Sequence, residues 1–267
     1  MSGAATQDAY RKNTPLRGWV IFVLFRQMGS FGALVSFTFG VMLPTIRDDL
    51  GLSALEAGVL ASITWITSAA TAVPFGAWFS RFNPVKLVTI AGALAALAAA
   101  SQAAATGFVT FLGARFLFVL LQAVKNPAGP ILIRHWLALK DVAWANGLGF
   151  SAHSVMQALA VSVVALIVTA LGGWRQTYIA MGGVLALFTV IWILVARERK
   201  GDESSTQAAS PEEDVSMLVA FRHPQVWLPA LAMVAPGVQW TALVTFLPTY
   251  LTEERGIGLT VAGLSTG

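Results

Sequence analysis

The amino-acid sequence predicts an all-α polytopic membrane protein, a bundle of helices that crosses a bilayer several times. Three observations carry that prediction. Of 267 residues, 56% are hydrophobic and 11% charged, whereas a soluble domain carries about 25% charged residues. The apolar residues come in runs longer than about 18, the length that spans hydrocarbon as a helix. Lys and Arg gather at the ends of those runs, where they mark the sides of a membrane.

Seven runs follow in order. The first extends from about Gly18 to Ile46 and ends in the turn Arg47-Asp48-Asp49-Leu50-Gly51; the second extends from about Leu55 to Phe79. A basic turn, Arg81 to Lys86, leads to the third, about Leu87 to Thr106. Its Ala, Leu and Gly composition lets neighbouring helices approach closely. The fourth covers about Phe108 to Pro130, and a polar connection, Arg134 to Asp141, follows it. The fifth covers about Val142 to Gly172, the sixth Trp174 to Val195 and the seventh Val226 to Leu251. Between the sixth and seventh, the stretch from Arg197 to Asp214 is charged and lacks periodicity, as a flexible linker does. The resulting division is a polar N-terminus at residues 1–17, a six-helix half at 18–196, a linker at 197–220 and the start of a second half at 221–267.

The distribution of Lys and Arg orients the bundle. With the N-terminus inside, the inner segments hold Arg11, Lys12, Arg17, Arg81, Lys86, Arg134, Lys140, Arg197, Arg199, Lys200 and Arg222. The outer segments hold Arg47, Arg175 and Arg255, so eleven stand against three. That bias places the N-terminus in the cytoplasm, as for a bacterial inner-membrane protein. The net charge of +4 and pI near 9.8 therefore serve orientation, and no nucleic-acid partner is expected. Cysteine is absent, which excludes a disulfide framework and thiolate metal sites. The polar first 16 residues and the long apolar run after them differ from a cleavable signal, whose apolar core is about 7–15 residues.

An internal repeat is present. Leu43-Pro44-Thr45 is followed by Gly51 and Ala57-Gly58, and Leu247-Pro248-Thr249 by Gly256 and Ala262-Gly263. The offset is roughly 200 residues, and a parallel six-span repeat predicts a parent chain of roughly 400, with a site between the halves near the midplane. The present chain is then expected to be its N-terminal part.

The loop after the second run resembles the Major Facilitator Superfamily motif G-x-x-x-D-R-x-G-R/K-R/K. Gly76 and Arg81 fall in register, while Ser80 replaces the acid, Asn83 the second glycine and Pro84-Val85 the basic pair. The fourth run resembles R-x-x-x-G-x-G-x-A-x-x-x-P: Arg115, Ala123 and Pro127 match, and Val119 and Leu121 replace the glycines. Gly173-Trp174-Arg175 is similar to the family's sixth span, whereas Gly147 and Gly149 lack the Gly-Pro of the antiporter signature. The resemblance implies a major-facilitator-like bundle: a six-span N-terminal half, span seven and the start of span eight. It also implies a gating loop at Gly76 and Arg81. The turn from Leu43 to Leu52 resembles anion carriers of the cyanate-permease type.

Ionisable residues inside a bilayer cost about 2.5–3.5 kcal/mol each on insertion scales and mark function. Here they are Arg26, Arg115, Lys125 and His153, with no Asp or Glu inside the runs and Glu56 at the mouth of the second. Arg115 lies roughly 12 Å into span four; it either binds an anion through its forked donors or braces packing through backbone carbonyls. Arg26, at a similar depth in span one, either binds substrate or snorkels to the inner interface. Lys125 is expected to snorkel. His153 lies roughly 16 Å into span five, with Gly149 and Gln157 on the same face. It either lines the site, where its imidazole exchanges a proton near neutral pH, or bonds a neighbouring helix. In span seven, Pro236-Gly237 can break the helix beside Gln239, Trp240 and Thr241, which then supply hydrogen bonds and a stacking wall.

The expected function is secondary active transport of a small, anionic solute by alternating access, with a coupled proton or counter-anion. The partners are the lipid bilayer and that solute, and the full-length carrier is expected to be monomeric. The expected site residues are Arg115, Arg26, His153, Gln157, Gln239, Trp240 and Thr241. No cofactor or metal is expected, because the single intramembrane histidine has no ligand partner. An enzyme is not expected, because the runs hold no carboxylate or cysteine to form a nucleophile–base pair. The alternative is a transporter-like sensor or assembly subunit without flux.

Overall fold

The computed structural model describes residues 13–197, 224–258 and 261–262. Within them the chain forms α1 (Leu16–Leu50), α2 (Ala54–Phe79), α3 (Pro84–Ser101), α4 (Phe108–Val124), α5 (Ala128–Trp136), α6 (Leu139–Ser162), α7 (Val164–Leu171), α8 (Trp174–Val195) and α9 (Pro224–Glu253). A short 3-10 turn, Gln102–Ala104, extends α3. Span four is α4 with α5, and span five is α6 with α7. Most of the expected linker at 197–220 lies outside the described residues.

Among the described residues, five stretches are long and apolar enough to cross a membrane: Leu16–Leu50, Ala54–Phe79, Pro84–Ala104, Phe108–Trp136 and Trp174–Val195. The chain is thus an integral membrane protein. Helix α6 is long enough but carries Asn146, Ser151, His153, Ser154 and Gln157, which lower its hydropathy; His153 and Gln157 turn inward.

Local chemistry sets the turns. Gly51 ends α1 in the left-handed region at φ 63°, where glycine pays no Cβ penalty. Ser53 and Glu56 then form a reciprocal capping box at the start of α2. Asn83, in the family's glycine position, accepts hydrogen bonds from the amides of Val85 and Lys86 at 2.9 and 3.1 Å, with Pro84 at the first helical position. This departure from the motif is an efficient helix start.

Packing follows the small residues. A Cβ on Gly182 of α8 would lie 2.7 Å from Ala100 Cβ and 2.9 Å from the Ala96 carbonyl oxygen. Spans three and six therefore meet nearly backbone to backbone, as the Ala/Gly composition of span three predicts. One core cluster surrounds Phe39, Phe111, Trp174 and Tyr178, with Phe111 stacked edge-on to Trp174 at 5.8 Å. A second surrounds Ile21, Trp136 and Trp192.

Both ends of the bundle are tied. At one, Thr14 Oγ1 donates to Asp141 at 2.6 Å and accepts from the Ala138 amide at 2.9 Å, while Arg17 donates to the Val195 carbonyl. At the other, Arg175 donates to Asp49 at 2.8 Å and to the carbonyls of Ala103 and Ala105. There too, Arg47 of α1 pairs with Glu253 of α9 at 2.9 Å.

One boundary and one expected helix break differ from the sequence prediction. Span four does not end at Pro130 but continues to Trp136. It also carries an interruption, since Pro127 has no N–H to give to Ala123. The chain instead makes i to i+3 bonds from the amides of Lys125, Asn126, Ala128 and Gly129. Span seven, by contrast, is unbroken: α9 runs through Pro236 and Gly237, as α1 and α2 run through Pro44 and Pro74. One missing N–H removes one ladder bond and leaves the rest of a long helix in place.

Candidate functional site: a cationic cavity between the helices

A cavity of about 440 Å³ opens among α1, α2, span four, α6 and α9, a volume that holds a small molecule. Helix α1 contributes Arg26, Ser30 and Ser36, and α2 contributes Thr64, Trp65 and Ser68. Span four contributes Arg115, Gln122, Lys125 and Asn126; α6 contributes Phe150, His153 and Gln157; α9 contributes Thr245. Among the described residues, three that line it are cationic and none is a carboxylate.

Arg26 leaves its own helix and crosses to α6. Its Nε lies 2.2 Å from where a Cβ on Gly149 would stand, and its guanidinium carbon is 5.6 Å from the Phe150 ring centroid. The gap expected beside His153 is therefore filled by the Arg26 head group, and Arg26 does not run along α1 to the interface. One turn further along α6, His153 Nε2 and Gln157 Nε2 are 3.2 Å apart. The i, i+4 face of Gly149, His153 and Gln157 thus forms one wall.

Arg115 is 3% exposed, and two of its nitrogens are already engaged. Nε donates to the Leu60 carbonyl at 2.9 Å. Nη2 donates to the Ser36 carbonyl at 3.3 Å and to Thr64 Oγ1 at 3.1 Å. The guanidinium carbon sits 4.0 Å from the Phe39 ring centroid, close enough for a cation–π contact. Arg115 thus braces spans one, two and four while placing a positive charge in the cavity wall.

Lys125 departs from its expected role. It is 5% exposed, buried at the interruption of span four rather than snorkelling. The continuation of the span to Trp136 explains why. Eleven residues separate Lys125 from that end, roughly 16 Å of helix, beyond the reach of a four-carbon stem. Gln122, also unforeseen, packs its amide against Gly32, with neither side-chain polar atom hydrogen-bonded. Its signal in the sequence is the i+7 spacing from Arg115, which repeats the same face after two turns.

Span seven brings Thr245 to the cavity. Gln239 is exposed and outside the lining, and the side chains of Trp240 and Thr241 lie outside the described residues. Gly76 stands in the last turn of α2 and Arg81 in the turn between α2 and α3, and neither lines the cavity. Arg81 is exposed, and a Cβ on Gly76 would meet nothing within 4 Å.

The family model of the Major Facilitator Superfamily matches residues 28–267. The chain belongs to the Major Facilitator Superfamily. Among curated members, it is 22% identical over 244 residues to a probable sulfoacetate transporter of Cupriavidus necator, covering 85% of this chain and 55% of that one. It is 26% identical over 235 residues to a probable L-galactonate transporter of Escherichia coli, covering 82% and 51%. It is 24% identical over 221 residues to a hexuronate transporter of Bacillus subtilis, covering 81% and 52%. The chain thus spans about half the length of these superfamily members. Among solved structures, a bacterial homolog of the human lysosomal transporter Spinster, inward-facing and unoccupied, shares the fold. Its TM-score is 0.79 at 18% identity, with 95% of this chain and 59% of that chain covered.

Proposed function

We propose that this chain is the N-terminal part of a secondary transporter that carries a small organic anion across the membrane by alternating access. The observation that supports this reading most directly is the cavity wall: Arg26, Arg115 and Lys125 line it and no lining residue is acidic. In a low-dielectric site such a wall attracts an anion and repels a cation. The relatives named for sulfoacetate, L-galactonate and hexuronate transport acids that are anionic at neutral pH. That agreement supports the same substrate class here.

Within this reading Arg26 contacts the anion, because its guanidinium rests on a glycine and two aromatic rings and makes no hydrogen bond among the described residues. Arg115 holds the wall together and adds field. His153, bonded to Gln157, is the titratable group beside Arg26 and the candidate for proton coupling. Gly76 and Arg81 form the loop that gates the motion of the halves. Residues 197–220 connect those halves, the N-terminus faces the cytoplasm of a bacterial cell, and the full-length carrier works as a monomer.

Counterflow tests the proposal. Proteoliposomes holding the full-length protein and preloaded in turn with sulfoacetate, L-galactonate or a hexuronate should accumulate the same labelled anion from outside. Binding of these anions with no counterflow would sink the transport reading and favour a sensor.

A further inference from the structure

Lys125 is a buried cation to which the anion-carrier reading above gives no contact of its own with the substrate. Its Nζ is shielded from solvent and has no hydrogen-bond partner, and the residue lines the same cavity as Arg26. An ammonium held in low dielectric without a counter-charge is costly, so a site that keeps one is built around something that compensates it. The interruption at Pro127 sets the geometry: Lys125 ends α4 and sits in the i to i+3 turn that joins α4 to α5. One turn before it, Gln122 presents a buried amide whose nitrogen and oxygen are both unpartnered. Three unpartnered polar atoms, Lys125 Nζ with Gln122 Nε2 and Oε1, therefore share one stretch of span four beside a cavity that contains no acid.

We propose that Lys125 is a second anion-binding point, and that the cavity takes a dianion with one charged group at Arg26 and the other at Lys125. The inference rests on the anion-carrier reading and sharpens its substrate class. A monoanion seated at Arg26 leaves the Lys125 ammonium uncompensated. A molecule with anionic groups at both ends satisfies both cations, and the Gln122 amide hydrogen-bonds its middle or its second head. Charge-assisted hydrogen bonds of this kind are roughly twice as strong as neutral ones.

The test uses the purified full-length carrier and equilibrium binding of malonate, succinate and glutarate, each against its own monoamide. A monoamide keeps the shape and removes one charge. At least one dicarboxylate should bind about tenfold tighter than its monoamide, the ratio expected from one additional charge-assisted contact. In Lys125→Met that ratio should fall to near one while monoamide binding persists, which also shows that the variant is folded. Lys125→Arg should keep the dicarboxylate preference. A wild-type ratio near one, or an unchanged ratio in Lys125→Met, would overturn the dianion proposal; monoamide binding that Arg26→Gln abolishes would then leave the anion reading standing. Absence of binding by every acid and amide would overturn both.

Discussion

The guanidinium of Arg26 occupies the place where a side chain on Gly149 would stand, with Nε 2.2 Å and Nη2 2.5 Å from that Cβ position. Glycine in α6 is therefore what lets a cation from α1 reach the face that carries His153 and Gln157. Gly149→Ala should push the flexible Arg26 head away at little cost to the fold. Alanine also gains about 1 kcal/mol of helix propensity over glycine. The expected outcome is an unchanged or slightly raised Tm in detergent with anion binding weakened about tenfold, the value of one displaced charge-assisted contact. Binding at the wild-type level would show that Arg26 is not held by this glycine.

Arg115 and Arg26 should separate in their effects. Arg115 donates to Leu60, Ser36 and Thr64 across three spans, and its loss leaves buried carbonyls without that donor. Arg115→Ala should insert into the membrane but lose both uptake and stability, by about 2–5 kcal/mol, the range for breaking a buried charged network. Arg26→Gln should lose uptake with its Tm nearly intact. Arg115→Lys should not restore Arg115 function, since a lysine lacks the fork that bonds two helices at once. Thermal unfolding beside proteoliposome uptake reads both quantities.

The fold was legible in the sequence because the bilayer imposes length and polarity together. Spans one, two, three and six stand within a few residues of the apolar runs, and the Ala/Gly composition of span three foretold its close approach to Gly182 of span six. The site was legible where a residue type alone carries meaning. Arg26, Arg115, His153 and Gln157 all reach the cavity. Lys125 and Gln122 were missed because their meaning depends on where span four ends: Ile131, Leu132 and Ile133 carry the helix past Pro130, which turns an apparent interfacial lysine into a buried one. Pro236-Gly237 misled in the opposite sense, since one proline in a helix as long as α9 removes a single bond without unwinding the rest.

The three basic residues expected on the outer side, the minority against the orientation bias, each have a structural task. Arg175 pairs with Asp49, Arg255 donates to the Tyr250 hydroxyl at 2.9 Å, and Arg47 pairs with Glu253. The last pair joins spans one and seven. It is partly exposed, so it is worth about 1 kcal/mol or less, roughly fivefold in a conformational equilibrium. Arg47→Gln should raise labelling of an Ala33→Cys reporter from the side of this pair by up to about fivefold, and the swap Arg47→Glu with Glu253→Arg should reverse the rise. This chain contains no cysteine, so its part of the labelling background is clean. Unchanged labelling in Arg47→Gln would mean that the pair does not hold its end of the bundle closed.

Close packing of spans three and six makes a stability prediction with an internal control. Gly182→Ala would place a Cβ 2.9 Å from the Ala96 carbonyl oxygen, a backbone atom that cannot swing aside. It should cost about 1–3 kcal/mol, as overpacking does. Gly183→Ala meets nothing within 4 Å and should be neutral or slightly stabilising. Equal Tm values for the two variants would mean that these helices are not locked at Gly182.

The central claim is that the cavity selects charge, and the most direct test compares one solute in two charge states. Uptake of L-galactonate and of its neutral lactone is measured into proteoliposomes of the full-length protein and of its Arg26→Gln variant. The expected result is saturable uptake of the anion, little of the lactone, and loss of the anion signal in Arg26→Gln. Equal uptake of anion and lactone, or anion uptake untouched by Arg26→Gln, would contradict it.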